Sequence, residues 1–231
     1  MSWEPIWEQV FLKQEWGQYP PEELIRFVAR NFYGAPDRKE IRILELGCGP
    51  GANVWYLARE GFEAHGIDGS KTAIANAGRR MHAEGLTANL QVGDIMFLDQ
   101  MCPKDHFDAV IDISCLQHNK VSAVDSILQQ ALHVLKPHGK IFAMMVTTGT
   151  LGDGMGQEVE PGSFVGNPSW HGASFLEVPL HGEALKHYFT LEEIQRLFAR
   201  FIDVQIDSLL RSMSNRQYWY KQFLVEGTKP L

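Results

Sequence analysis

Residues 41–51, Ile-Arg-Ile-Leu-Glu-Leu-Gly-Cys-Gly-Pro-Gly, constrain the fold more than any other stretch of the chain. Ile41, Ile43, Leu44 and Leu46 make a short apolar run, the composition of a strand buried on both faces of a parallel sheet. Gly47, Gly49 and Gly51 follow it, where the backbone can turn sharply and a ligand can come close. From residue 52 to 60 the apolar positions change to helical spacing, with Val54, Leu57 and Ala58 on one side. A strand, a glycine turn and a helix start predict a cofactor site at the carboxyl edge of an open α/β sheet.

The glycines alone do not identify the cofactor, because Gly47-x-Gly49-x-x-Ala52 also satisfies the dinucleotide pattern. Two neighbours argue against a pyrophosphate. Pro50 has no N–H to offer at the helix start, and Glu45 repels phosphate while suiting an ammonium or the N–H groups of the loop. A ligand with a cationic amino-acid end and no phosphate fits better. Glu45-Leu46-Gly47-Cys48-Gly49-Pro50-Gly51 resembles the first motif, E-x-G-x-G-x-G, of the class I S-adenosylmethionine-dependent methyltransferases. The resemblance implies S-adenosyl-L-methionine as cofactor, held by Glu45, Gly47, Cys48, Gly49 and Gly51. A nicotinamide-dependent oxidoreductase and a non-catalytic partner protein that keeps the cofactor fold are the alternatives.

Further acids follow at strand ends. Asp68 closes a predicted strand over 63–67, about 20 residues past the turn, where either nucleoside fold places a carboxylate on ribose hydroxyls; Gly69 stands beside it. Ser70 reads as the N-cap of a helix reaching 83. A brief strand over 90–92 leads to Asp94 and Ile95, which the resemblance places at the adenine amino group and ring; by itself Asp94 reads as a turn or helix cap. A fourth strand, 107–113, delivers Ser114 and the loop to His118 to where, in the resembling enzymes, methyl group and acceptor meet. A helix over 121–135 is then stopped by Lys136-Pro137-His138-Gly139, before a fifth strand over 140–146.

Residues 1–40 read as a helical cap, with helices over 5–13 and 22–32. Between them, Trp16 and Tyr19 read either as connector aromatics packed on the core or, as the resemblance implies, as residues of which one closes over the methionine end of the cofactor or over the substrate, where an aromatic face suits a sulfonium. Residues 41–231 form the sheet domain. Within it, 147–188 is glycine-rich, aperiodic and too long for a plain connection, so it reads as a lid on the substrate side. Thr190 and Glu193 form a capping box, and strands over 201–210 and 217–226 must pair as an antiparallel hairpin. The expected architecture is a doubly wound, mostly parallel seven-stranded sheet with an antiparallel last strand.

Composition narrows the acceptor. A net charge of −7 offers no basic footprint for nucleic acid. No apolar run approaches the ~18 residues of a membrane span, and the first residues lack a leader pattern, so a cytoplasmic protein is expected. The three cysteines show no zinc spacing, and the loop acids make no recognisable metal set. The lid and the absence of an N/D-P-P-Y/F motif after the fourth strand favour a small organic acceptor over a protein or RNA. His118 is the leading proton acceptor, because it follows the fourth strand and imidazole titrates near neutrality; His171 and Tyr188 stand in reserve.

Overall fold

The computed structural model describes residues 3–14, 17–166 and 180–231. Its elements run α1 (Ile6–Lys13), α2 (Glu22–Phe32), β1 (Arg42–Leu46), α3 (Ala52–Arg59), β2 (Glu63–Asp68), α4 (Lys71–Ala83), β3 (Asn89–Val92), α5 (Leu98–Met101), β4 (Phe107–Ile113), α6 (Val121–Val134), β5 (Leu135–Val146), β6 (Gln157–Glu160), β7 (Ser163–Val165), β8 (Lys186–His187), α7 (Leu191–Leu197), β9 (Ile202–Met213) and β10 (Tyr218–Thr228). Seven strands form one sheet in the order β3-β2-β1-β4-β5-β10-β9. The pairs among β1 to β5 are parallel, and β10 runs antiparallel to both β5 and β9. This is the architecture expected from the sequence, and it puts the ends of β1, β2, β3, β4 and β5 along one edge.

Strand alternation splits the core between two faces. Leu44, Leu46, Val110, Ile141 and Ala143 pack with Leu98 of α5, Ile127 and Leu128 of α6 and Ile194 and Leu197 of α7. Ile43, Ala109, Ile111, Phe142 and Met144 pack with Leu24, Phe27 and Val28 of α2, Leu57 of α3 and Met81 of α4. Phe27 stacks on Phe142 with ring centroids 4.8 Å apart, and burying one such ring contributes on the order of 2–3 kcal/mol. The caps read from the sequence are present. Ser70 accepts from the Ala73 N–H, and Thr190 and Glu193 form the capping box.

Two expectations need correction. Residues 136–139 do not separate α6 from the fifth strand, because β5 already begins at Leu135, which pairs with Phe107; pairing then resumes at Lys140 opposite Ala109. The intervening residues bulge out, with His138 at φ +63° and the Lys136 ammonium 2.7 Å from Asp108 Oδ1. The stretch read as aperiodic over 147–188 contains regular structure among its described residues. Strands β6, β7 and β8 make a small antiparallel sheet, whose edge is set by the buried His187, with Nδ1 2.7 Å from Ser163 Oγ. Strands this short carry too few residues for alternation to be visible.

Candidate active site

The carboxyl edge of the sheet opens into a cavity of about 460 Å³. Its first wall is the β1 turn. Glu45, the fourth residue of β1, is buried, and its Oε1 accepts from Asn53 Nδ2 at 2.6 Å. Glu45 Oε2 and Asn53 Oδ1 are buried with no hydrogen-bond partner, and both residues line the cavity. Burial pushes the Glu45 carboxyl up to about 8, since a lone charge in low dielectric is costly. Buried acceptors without donors are the groups that a cation with several N–H bonds satisfies.

Gly47 takes φ +60°, and a Cβ there would lie 2.2 Å from Cys115 Sγ. The glycine therefore lets the loops after β1 and β4 approach each other. Gly51 differs from expectation. It does not line the cavity, and its Cβ would lie 2.7 Å from that of Ala77, so it serves the packing of α3 against α4. Cys48 lines the cavity, and burial raises its thiol well above the ordinary range, which keeps it protonated.

Asp68 ends β2 and ties the wall together. Its Oδ2 accepts from the Gly49 N–H and its Oδ1 from the Ser70 N–H, each at 2.8 Å. Asp94 caps the turn after β3 by accepting from Met96 N–H at 3.1 Å. Asp68, Gly69, Asp94 and Ile95 all line the cavity, as does Ser114.

The loop after β4 forms the floor. Ser114 takes φ +67°, a left-handed conformation that costs on the order of 1 kcal/mol away from glycine. The reversal turns the Cys115 and Leu116 N–H groups onto Asp112 Oδ1, at 3.0 and 2.8 Å. Buried Gln117 accepts from Val146 N–H and so fastens the loop to β5. His118 Nδ1 lies 2.7 Å from the Leu185 carbonyl oxygen. A carbonyl only accepts, so Nδ1 carries a proton. Gln117 Nε2 lies 3.4 Å from that Nε2, and the imidazole meets the Trp7 ring edge-on at 4.7 Å.

The roof comes from the N-terminal segment. Glu8 of α1 accepts from the Ser70 and Thr72 hydroxyls at the start of α4, where the helix dipole favours a carboxylate. Those two hydroxyl bonds, Ser70 first, hold the Glu8 carboxyl below its usual range. Glu4 accepts from the Leu185 N–H at 2.9 Å on the opposite side. Trp3, Trp7 and Phe11 thereby line the cavity, with Trp3 over Gly69. Tyr19 also lines it but is 74% exposed, edge-on to Trp55. Trp16 and His171 lie outside the described residues.

Tyr188 requires a second correction. It is 1% exposed, packs edge-on to Phe164 and is absent from the cavity wall; burial drives its hydroxyl pKa upward. It packs in a small apolar cluster with Val146 and Phe164. Its neighbour Lys186 lines the cavity instead, with Arg211 and Tyr220. Sequence reading missed Trp3, Trp7, Asn53, Lys186 and Arg211. Trp7 and Phe11 share an apolar helical stripe that reads equally well as core, and Asn53 is the one polar residue in an otherwise buried stretch of α3.

Comparison with known proteins bears on the family and the fold. A family model described as "Methyltransferase domain" matches residues 43–139. An uncharacterized methyltransferase of Schizosaccharomyces pombe is 32% identical over 100 residues, which cover 43% of this chain and 68% of that protein. A ubiquinone biosynthesis O-methyltransferase of Rhodopseudomonas palustris is 30% identical over 99 residues; the match spans 43% of this chain but 37% of that enzyme's length. Among solved structures, a SAM-dependent methyltransferase from Methanosarcina mazei superposes with a TM-score of 0.64 at 22% identity, over 84% of this chain and 94% of that one.

Proposed function

This chain belongs to the methyltransferase family, and from that premise we propose that it moves the methyl group of S-adenosylmethionine to an oxygen or nitrogen of a small organic molecule in the cytoplasm. S-adenosylmethionine is the cofactor, and when bound it supplies a methyl carbon already activated for displacement by its sulfonium. The reading rests on one observation above all: the unpartnered acceptors Glu45 Oε2 and Asn53 Oδ1 in the wall of a cavity that continues to His118. Glu45 and Asn53 would hold the ammonium of the amino-acid end, Asp68 the ribose, and Asp94 and Ile95 the adenine. Trp3, Trp7 and Phe11 exclude water from above.

His118 has the tautomer for its task. With Nδ1–H donated to Leu185, Nε2 takes the proton of an acceptor hydroxyl or ammonium. Catalysis otherwise consists of alignment. The name of the quinone-pathway relative supports a small acceptor. Among the described residues no helix is long and apolar enough to cross a membrane.

The test is calorimetry with S-adenosylmethionine, S-adenosylhomocysteine and NAD, followed by mass spectrometry of small hydroxylated and aminated acceptors for the gain of one methyl group. Binding of both adenosyl compounds, with turnover on a small acceptor, is expected. NAD binding without response to either adenosyl compound would overturn the reading.

A further inference from the structure

Charge is not spread evenly around the cavity. Glu45, Asp68 and Asp94 stand at or just beyond the ends of β1, β2 and β3, on one half of the sheet. The lining cations come from elsewhere: Arg211 belongs to β9, at the far edge of the other half, and Lys186 to β8 of the small sheet, which continues into Phe189 and bridges there to Thr147, just beyond β5. Neither cation is paired with an acid among the described residues, in a chain where 28 acids outnumber 21 bases. Ion pairs elsewhere use up Lys136, Lys229, Arg42 and Arg200. Glu4, a lining acid, accepts through Oε2 from the N–H of Leu185, next to Lys186 in the chain, and burial raises its pKa.

The backbone holds Lys186 firmly. Its neighbour Leu185 is bonded on both sides, by Glu4 to its N–H and by His118 to its carbonyl, while His187 on the other side is buried against Ser163. Lys186 itself pairs with Phe164 of β7. Its side chain therefore enters the cavity one residue from the carbonyl that orients the proposed base. Burial lowers the ammonium to about 8, which an anion beside it would reverse. Arg211 lies with its guanidinium 5.8 Å from the Tyr220 ring centroid, which leaves the planar fork available for a carboxylate or phosphate.

We infer that the methyl acceptor carries an anionic group, a carboxylate or a phosphate, which Lys186 and Arg211 seat at the β5–β10–β9 side of the cavity so that its nucleophilic atom faces His118 Nε2. The inference rests on the methyl-transfer reading above. It restricts the acceptor from any small molecule to an anionic one.

The experiment is calorimetry on the full chain saturated with S-adenosylhomocysteine, using three probes: para-hydroxybenzoate, phenyl phosphate and the neutral methyl ester of para-hydroxybenzoate. At least one anion should bind about tenfold or more tighter than the ester, as expected for a charge-assisted contact, and which one does so separates carboxylate from phosphate. Lys186→Met and Arg211→Gln should each remove most of that preference, and Lys186→Arg should restore it, with S-adenosylhomocysteine affinity kept within about threefold. The inference is overturned if the ester binds as well as both anions, if neither anion binds, or if the preference survives both substitutions. It is equally overturned if the substitutions weaken S-adenosylhomocysteine and leave anion preference intact, since the cations would then serve the carboxylate of the cofactor. Failure of the wild-type chain to bind S-adenosylhomocysteine would sink the methyl-transfer reading instead, and the anion preference would still be read in its absence.

Discussion

Glu45, Asp68 and Asp94 lie within two residues of the end of a parallel strand, whereas Lys186, Arg211 and Tyr220 come from a two-residue strand and from a long hairpin. The cofactor half of the cavity is held by bonds within one continuous stretch of chain, such as Asn53 to Glu45 and the Gly49 and Ser70 N–H groups to Asp68, none spanning more than 19 residues. The acceptor half is held by contacts between residues far apart in sequence, such as His118 with Leu185 and Leu185 with Glu4. One half is thus a property of local chain geometry, and the other exists only when several distant segments are in place. On the proposed reading, specificity for the acceptor would belong to the second kind of wall, because such segments can change without disturbing the sheet.

Substitutions on each wall sharpen or break this division. The largest effect is expected at His118 on the acceptor side. His118→Asn should lower turnover roughly 10²–10⁴-fold while S-adenosylhomocysteine affinity is unchanged. Turnover near wild type across the neutral pH range would show that His118 moves no proton.

Gly47→Ala should affect both halves, because its Cβ would lie 2.2 Å from Cys115 Sγ at φ +60°. A loss of roughly 2–4 kcal/mol in stability is expected. Denaturant unfolding checks it, and an unchanged midpoint would mean that the two loops are not braced against each other.

Glu45→Gln separates binding from folding. Losing the charged acceptor should weaken S-adenosylmethionine roughly 10–100-fold, from the ~1.5–3 kcal/mol of a charge-assisted bond. The free protein should respond in the opposite sense. The Glu45 carboxyl titrates at about 8 when folded against a reference value of 4.5. The folded state therefore holds a proton that the unfolded state has already released between those values, and stability falls as pH rises from about 4.5 to about 8. Asp112, raised to about 7 by burial, adds a slope of the same sign. Thermal melts of the ligand-free protein should show this decline, with a shallower one in Glu45→Gln and in the presence of S-adenosylmethionine. A wild-type stability that rises over that range would contradict the buried, unpartnered carboxylate.

Tyr19→Ala should have the smallest effect, a change in S-adenosylmethionine affinity of no more than about threefold, because the ring is mostly exposed and packs on Trp55. A large loss would move the roof of the site from Trp3, Trp7 and Phe11 to the segment after α1.

The cofactor half was largely legible from residues 41–95, because each part had a local signature: an apolar run, a glycine turn, an acid at a strand end. Even there, Gly51 belonged to helix packing, and the need for Gly47 lay in Cys115, nearly seventy positions away. The acceptor half was legible only at His118. Tyr188 and Lys186 are two residues apart in an aperiodic stretch, and nothing in that spacing says which of them enters the cavity.

By itself the sequence determined the seven-stranded α/β class, the strand–turn–helix at β1, the caps at Ser70 and Thr190, and the acidic side of the cavity. Periodicity and side-chain-to-backbone bonds act over a few residues, and so they can be read along the chain. Only the tertiary structure decided that Trp3, Trp7 and Phe11 roof the site, that Leu185 sets the His118 tautomer, and that Lys186 and Arg211 line the same cavity. Those outcomes depend on how remote segments are brought together, and no local pattern encodes the direction in which a side chain on a two-residue strand will point.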